Sequence, residues 1–249
     1  MMDFGGPGIY ATTEAIKHNK ATINVFARLK NDGATSSKFT ARTILLDTAG
    51  KSVAETTRSI ILEKETATEF SAMLTVANPR LWQGTADPYL HQLVVELVDA
   101  TGIVLDRVEQ PLGIRQIRVD PDQGFMLNEK PLKLYGVSYH QDREGMGWAS
   151  SVESIEEDFA IMREMGANSI RLAHYQHGQV IHDLADKHGV ILWDEIPLVT
   201  AWTLGRAMEA TAEFKANVKQ QLREMIRQNY NHPSVGVWGI ANEVDFGNS

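Results

Sequence analysis

The sequence predicts a multi-domain chain: an antiparallel β-sandwich followed by alternating β-strands and α-helices. Two observations predict it. Up to about residue 117, apolar residues recur with period two between closely spaced turn signals. Beyond that point, short apolar runs alternate with stretches of helical period. The expected bounds are 1–117 for the sandwich and 118–249 for the second domain.

In the first half, Ile23, Val25, Ala27 and Leu29 share one face of a strand that ends at the turn Asn31-Asp-Gly33. Further strands are expected at Phe39 to Leu46, Lys51 to Leu62 and Glu69 to Val76. Leu90 to Val98 and Ile103 to Gln110 form a hairpin around Asp99-Ala-Thr-Gly102. Short strands at this spacing suggest an immunoglobulin-like sandwich. No cluster of catalytic residue types occurs here, and Trp82 and Tyr89 read as packing residues.

In the second half, Leu132 to Val137 is the first expected strand. A helix follows from about Ser154, where Ser154 and Glu157 have capping-box spacing. Its apolar positions are Ile155, Phe159, Met162 and Met165, and Gly166 supplies the stop. Ser169 to Ala173 is the second strand, and Val180 to Ala185 mark a helix ended by Gly189. Val190 to Trp193 is the third strand. Phe214 to Ile226 mark a long helix stopped before Pro233, and Val235 to Ala241 is the fourth strand. Repeated βα units imply parallel strands with right-handed crossovers. A closed eight-stranded barrel takes about 200–250 residues. Residues 118–249 supply about half of that, so half a barrel and an open doubly wound sheet both remain.

Composition narrows the function classes. The net charge is −8 and no basic run occurs, which argues against a nucleic-acid surface. There is no cysteine, hence no disulfide framework and no thiolate metal site. No stretch approaches the roughly 20 apolar residues of a membrane span. Residues 1–8 lack the charged and apolar regions of a signal peptide and read as a linker, as from an internal cut of a longer protein. A soluble chain is expected, with cytoplasm and periplasm both open.

All four expected strands end in polar chemistry on one side. The first leads to His140 and Asp142, the second to Arg171 and His174, the third to Asp194-Glu195 and the fourth to Asn242-Glu243. In βα barrels the C-terminal strand ends line the active site. Glu243 weighs most, because a carboxylate ending a buried strand is costly unless it works or is paired. Blander readings exist. His140 caps a loop; Arg171 is a structural partner of Glu243 or Glu195; Asp194-Glu195 belongs to a helix N-cap as readily as to a substrate site. His174, His177, His182 and His188 suggest metal, but no matched ligand spacing appears, and His182 and His188 read as surface residues.

The segments Gly136 to Arg143, Gly166 to Tyr175, Val190 to Pro197 and Asn231 to Glu243 resemble glycoside hydrolase family 2, and within it the β-galactosidases. Gly113-Ile-Arg115 resembles the family's junction between an immunoglobulin-like domain and a (β/α)8 TIM barrel. The resemblance implies a fragment carrying the first half of that barrel and a retaining mechanism on terminal β-galactosides or related oligosaccharides. Glu243 is then the general acid/base and Asn242 a partner of the sugar 2-hydroxyl. His140 and His174 match sugar-contacting histidines, Arg171 an arginine that orients carboxylates, and Asp142 a contact to a sugar hydroxyl. Such a mechanism needs two carboxyl groups about 5–5.5 Å apart, one kept protonated by burial and an ionised neighbour.

The chain departs from the family pattern in three ways. The nucleophile, a second glutamate on the seventh strand, and the N-terminal jelly-roll domain both fall outside it. A magnesium site found in some members uses Glu and His at positions held here by Val199 and Ala201; no cofactor is required. The isolated chain is therefore expected to be inactive and to self-associate, while the complete enzyme is open to homo-oligomerisation. β-Glucuronidase and β-mannosidase are the neighbouring specificities, although the 140–143 loop and Trp148 look more like the β-galactosidases. The alternatives to a hydrolase are a non-catalytic sugar-binding chain and a fragment complemented by a second chain.

Overall fold

A computed structural model describes residues 5–199 and 211–244. Seven strands form the first unit: β1 (Ile9–Lys17), β2 (Lys20–Lys30), β3 (Ser37–Leu46), β4 (Ser52–Leu62), β5 (Ala67–Ala77), β6 (His91–Val98) and β7 (Val104–Leu112). They pair antiparallel as two sheets, β1-β2-β5 and β4-β3-β6-β7. The alternation in β2 does what the sequence implies: Ala21, Ile23, Val25, Ala27 and Leu29 are buried against Leu45, Phe70, Leu74, Leu93 and Val95. Each fully buried Val, Leu or Ile is worth about 1.5–3 kcal/mol relative to exposure, so this seam dominates the unit's stability.

β1 was not legible, because Ile9, Tyr10 and Ala11 are buried in succession and a bulge between Thr13 and Ala15 then breaks the alternation. Also unforeseen is a small antiparallel sheet of β8 (Ile117–Asp120), β9 (Gly124–Leu127) and β10 (Lys130–Pro131). Strands this short carry no readable period.

The second unit is a parallel sheet in chain order: β11 (Gly136–Tyr139), β12 (Ser169–Leu172), β13 (Ile191–Glu195) and β14 (Val235–Gly239). Helices α1 (Val152–Glu164), α2 (Gln179–His188) and α3 (Ala212–Asn229) connect them. The expected strand from Leu132 begins four residues later. Asn168 holds the preceding segment instead, donating to Lys133 O at 2.9 Å and accepting from Tyr135 N–H at 2.7 Å. The expected cap of α1 also moves. Ser151 is the N-cap and its hydroxyl accepts from Ser154 N–H at 3.2 Å, while Ser154 lies buried in the first turn. α2 ends at Gly189 with φ of 77°, a left-handed position that favours glycine.

The two units are joined by specific contacts. Trp82 is fully buried and its indole N–H donates to Asp186 O at 2.9 Å. Gly189 packs on the backbone of Gly84 so closely that an added Cβ would fall 2.1 Å from it. Arg115 donates to Pro233 O and Val235 O, both at 2.9 Å, and burial pushes its guanidinium down to about 10. Tyr89 packs edge-on to His91 under the Arg80 guanidinium. No helix among the described residues is long and apolar enough to cross a membrane.

Candidate active site

Successive residues of a strand face opposite ways, and this sorts the parallel sheet into two chemistries. Ile170, Leu172 and Leu192 face the helices with Ile155, Phe159, Ile181 and Ala185. Ser138, Arg171, Trp193 and Val237 are in register across the other face, which forms an open trough of about 310 Å³. Among these apolar neighbours Arg171 is held by charge. Its Nε donates to Glu195 Oε1 at 2.6 Å and its Nη2 to Asn242 Oδ1 at 2.7 Å.

Glu195 is the hub. Its side chain is only 1% exposed, and Oε2 lies 3.0 Å from His174 Nδ1. A carboxylate there accepts, so His174 carries a proton on Nδ1, and in the neutral ring Nε2 is the acceptor; Arg171 Nη2, 3.3 Å from the same Nδ1, then makes a contact and not a hydrogen bond. The His140 ring packs edge-on to His174 with centroids 5.1 Å apart. Gly239 makes room for the hub: a Cβ there would sit 2.6 Å from Glu195 Cγ and 2.5 Å from Trp193 Nε1.

The structure brings together Arg171, His174, His140 and Asn242. Asn242 lies beyond β14, where its N–H donates to Leu198 O at 2.8 Å and it bridges Val199. Glu243 follows, exposed, with φ of 47°. The expectation of a carboxylate buried at a strand end is therefore corrected. β14 stops at Gly239, and the buried carboxylate of the site is Glu195. Asp142 stands on the exposed loop after β11, its N–H bonded to His140 O at 2.9 Å.

Asp194 and Glu195 lie within β13, and among the described residues the next helix is α3, capped by Thr211. They are adjacent in a strand, so they point to opposite faces. Asp194 faces the helices, lying 3.0 Å from His182 Nε2 and accepting from Asn229 Nδ2 at 2.8 Å. His182 is fully buried, which corrects its reading as a surface residue. Burial alone would lower its pKa, but the Asp194 carboxylate outweighs this and raises it. The strand alternation was the signal that would have singled out Glu195. A cleft of about 590 Å³ opens elsewhere, at the seam lined by Arg115, Tyr230, His232 and Trp238.

His177 is also buried, donating from Nε2 to Ala173 O at 3.1 Å, and burial pushes it down to about 4. Its folded-state value is below the unfolded one of about 6.5, so protonation opposes folding. The stability this neutral imidazole supports is complete above pH 6.5 and is lost as pH falls toward 4. His177→Phe is expected to remove roughly 3 kcal/mol of acid sensitivity over that window, at about 1.4 kcal/mol per unit. Urea midpoints at several pH values check this; parallel slopes in the two proteins would contradict it.

Val199 has an aliphatic side chain, so the magnesium ligand set of the resembling family does not fit there; Ala201 lies outside the described residues. Among the described residues no group of three or more His, Asp or Glu side chains is arranged to hold a metal ion.

Comparison with known proteins bears on the family of the chain. Residues 7–115 match the family model "Glycosyl hydrolases family 2", and residues 117–249 match "Glycosyl hydrolases family 2, TIM barrel domain". The chain is 41% identical to a β-glucuronidase of Bacteroides fragilis over 245 residues, covering 98% of this chain and 35% of that protein. It is 34% identical to a β-galactosidase of Bacteroides ovatus, covering 96% of this chain and 28% of that protein. The crystal structure of a Bacteroides uniformis β-glucuronidase superposes with a TM-score of 0.86 at 32% identity, covering 95% of this chain and 28% of that one. The chain thus spans about a third of the length of the curated relatives it matches. Matched along nearly its whole length by these models and relatives, the chain belongs to glycosyl hydrolase family 2.

Proposed function

We propose that this chain is the acid/base-bearing part of a retaining β-glycoside hydrolase acting on terminal β-galactosides. The observation that carries the reading is the Glu195–Arg171–Asn242 relay. It fixes the Asn242 side chain at the C-terminal end of a parallel sheet, one residue before Glu243. In this reading the four strands form half of a barrel whose other wall comes from sequence beyond these residues or from a second chain. The exposed trough supports it: Trp193 is 43% exposed on a face that a closed barrel fills with side chains.

Each residue then has a defined task. Glu243 protonates the glycosidic oxygen as the bond breaks and later takes a proton from water. Asn242, its oxygen held by Arg171, turns its amide N–H toward the sugar 2-hydroxyl. His174 Nε2 accepts from a sugar hydroxyl, His140 contacts the same ring, and Asp142 accepts from a hydroxyl at the rim. Arg171 orients these groups and carries positive charge that favours ionised carboxylates nearby. The nucleophilic carboxylate is assigned to the missing wall.

A second reading takes terminal β-glucuronides, favoured by the 41% identity to a protein named β-glucuronidase. Hydrolysis of nitrophenyl β-galactoside and β-glucuronide by the complete protein, with NMR observation of the anomer released first, tests both. Release of the β-anomer from the galactoside is expected. Preference for the glucuronide would select the second reading, and first release of the α-anomer would overturn the retaining mechanism.

A further inference from the structure

Four aromatic rings form a stack that runs from the core to the surface beside the strand ends. Tyr139 is buried at the end of β11, and its ring centroid lies 5.4 Å from that of buried His177. His177 stacks on Tyr175 at 4.9 Å and 17°, and Tyr175 stacks on Trp148 at 4.5 Å and 26°. Tyr175 thus stacks with two rings, and Trp148, a residue 66% exposed, ends the series.

The platform is held rigid. Gln141 donates to Trp148 O at 3.2 Å and accepts from Gly178 N–H at 2.8 Å, tying the loop after β11 to the loop after β12. Arg143 and Gly147 close the turn between them, and Arg143 pairs with Glu157 of α1. The stack also adjoins the site, since the Tyr175 and His140 centroids are 6.0 Å apart and His174 immediately precedes Tyr175 in sequence.

We propose that the open face of Trp148 is a binding subsite for the pyranose ring on the leaving-group side of the scissile bond. A β-linked pyranose presents a face of axial C–H bonds that packs on an aromatic ring, and indole offers the largest such surface. The His140–His174–Asn242 cluster takes the terminal sugar, so a group reaching Trp148 is the next ring along. This deepens the hydrolase reading and rests on it for the direction of the chain. A pre-ordered aromatic costs little entropy to engage, which is what a specificity contact requires.

Saturation-transfer NMR on this chain tests it, with a β-linked galactosyl disaccharide and methyl β-galactoside as probes. The reducing-end ring of the disaccharide is expected to receive saturation from the wild type. Trp148→Ala should reduce that transfer about tenfold, and Trp148→Phe should keep most of it. The side chain is largely exposed, so both variants should melt as the wild type does, which circular dichroism checks. No transfer to that ring in the wild type, or equal transfer in Trp148→Ala, overturns the proposal. Failure of the hydrolase reading shows separately, as absence of turnover by the complete protein while Trp148-dependent saturation persists.

Discussion

Replacing Glu243 by glutamine in the complete hydrolase is expected to slow the cleavage of alkyl β-glycosides by about 10²–10⁴-fold, the usual contribution of a general acid. Dinitrophenyl β-glycosides should change far less in the bond-breaking step, because their leaving group departs without a proton. The basic limb of the kcat/KM profile on alkyl substrates, which reports the acid, should flatten. The contrast between substrates is the diagnostic part. A folding defect would depress both classes alike, and unchanged rates on alkyl glycosides would sink the assignment. The geometry adds a condition. Glu243 is exposed, and an exposed carboxyl lacks the low-dielectric surroundings that a general acid uses. In the proposed enzyme, the remaining wall of the barrel provides them together with the nucleophile.

The sequence announced the long-period features and missed the short ones. β2, β3 and β5 were readable because their apolar alternation runs over many residues on a half-buried surface. α2 and its Gly189 stop were readable because a left-handed terminus favours glycine. β8 to β10 were not, being at most four residues long and defined by pairing with one another. The slip of β11 has a similar origin, because the Asn168 amide that holds Lys133 and Tyr135 lies more than thirty residues away in sequence. At the site, Arg171, His174, Asn242 and His140 were named from strand-end position and family resemblance. Glu195 was left undecided because Asp194-Glu195 reads as one acidic pair until strand alternation sends the two carboxylates to opposite faces.

Removing the Glu195 carboxylate is expected to cost the fold about 3 kcal/mol, the lower end for breaking a buried ion pair. The lower end applies because Arg171 is a third exposed and water can solvate the charge left behind. Glu195→Leu should show this as an earlier denaturation midpoint with an unchanged slope. It should also release the two groups that Glu195 positions: Arg171, which holds the Asn242 oxygen, and His174, whose proton the carboxylate keeps on Nδ1. Glu195→Gln separates these roles. Its amide oxygen still accepts from Arg171 Nε, but its NH2 cannot accept from His174 Nδ1–H. The imidazole should therefore switch tautomer, visible in its ¹⁵N shifts, with a smaller loss of stability. In the complete hydrolase both variants should lower kcat/KM about 10²-fold, because catalytic groups displaced by about an ångström lose that much. If Glu195→Leu denatures like the wild type, the carboxylate is a bystander and Arg171 is held by Asn242 and its Trp193 contact. If it is destabilised while the His174 tautomer stays unchanged in both variants, Glu195 braces the sheet without tuning the site. Destabilisation together with a tautomer switch would make this buried carboxylate the element that couples the packing of β13 to the hydrogen-bonding state of His174.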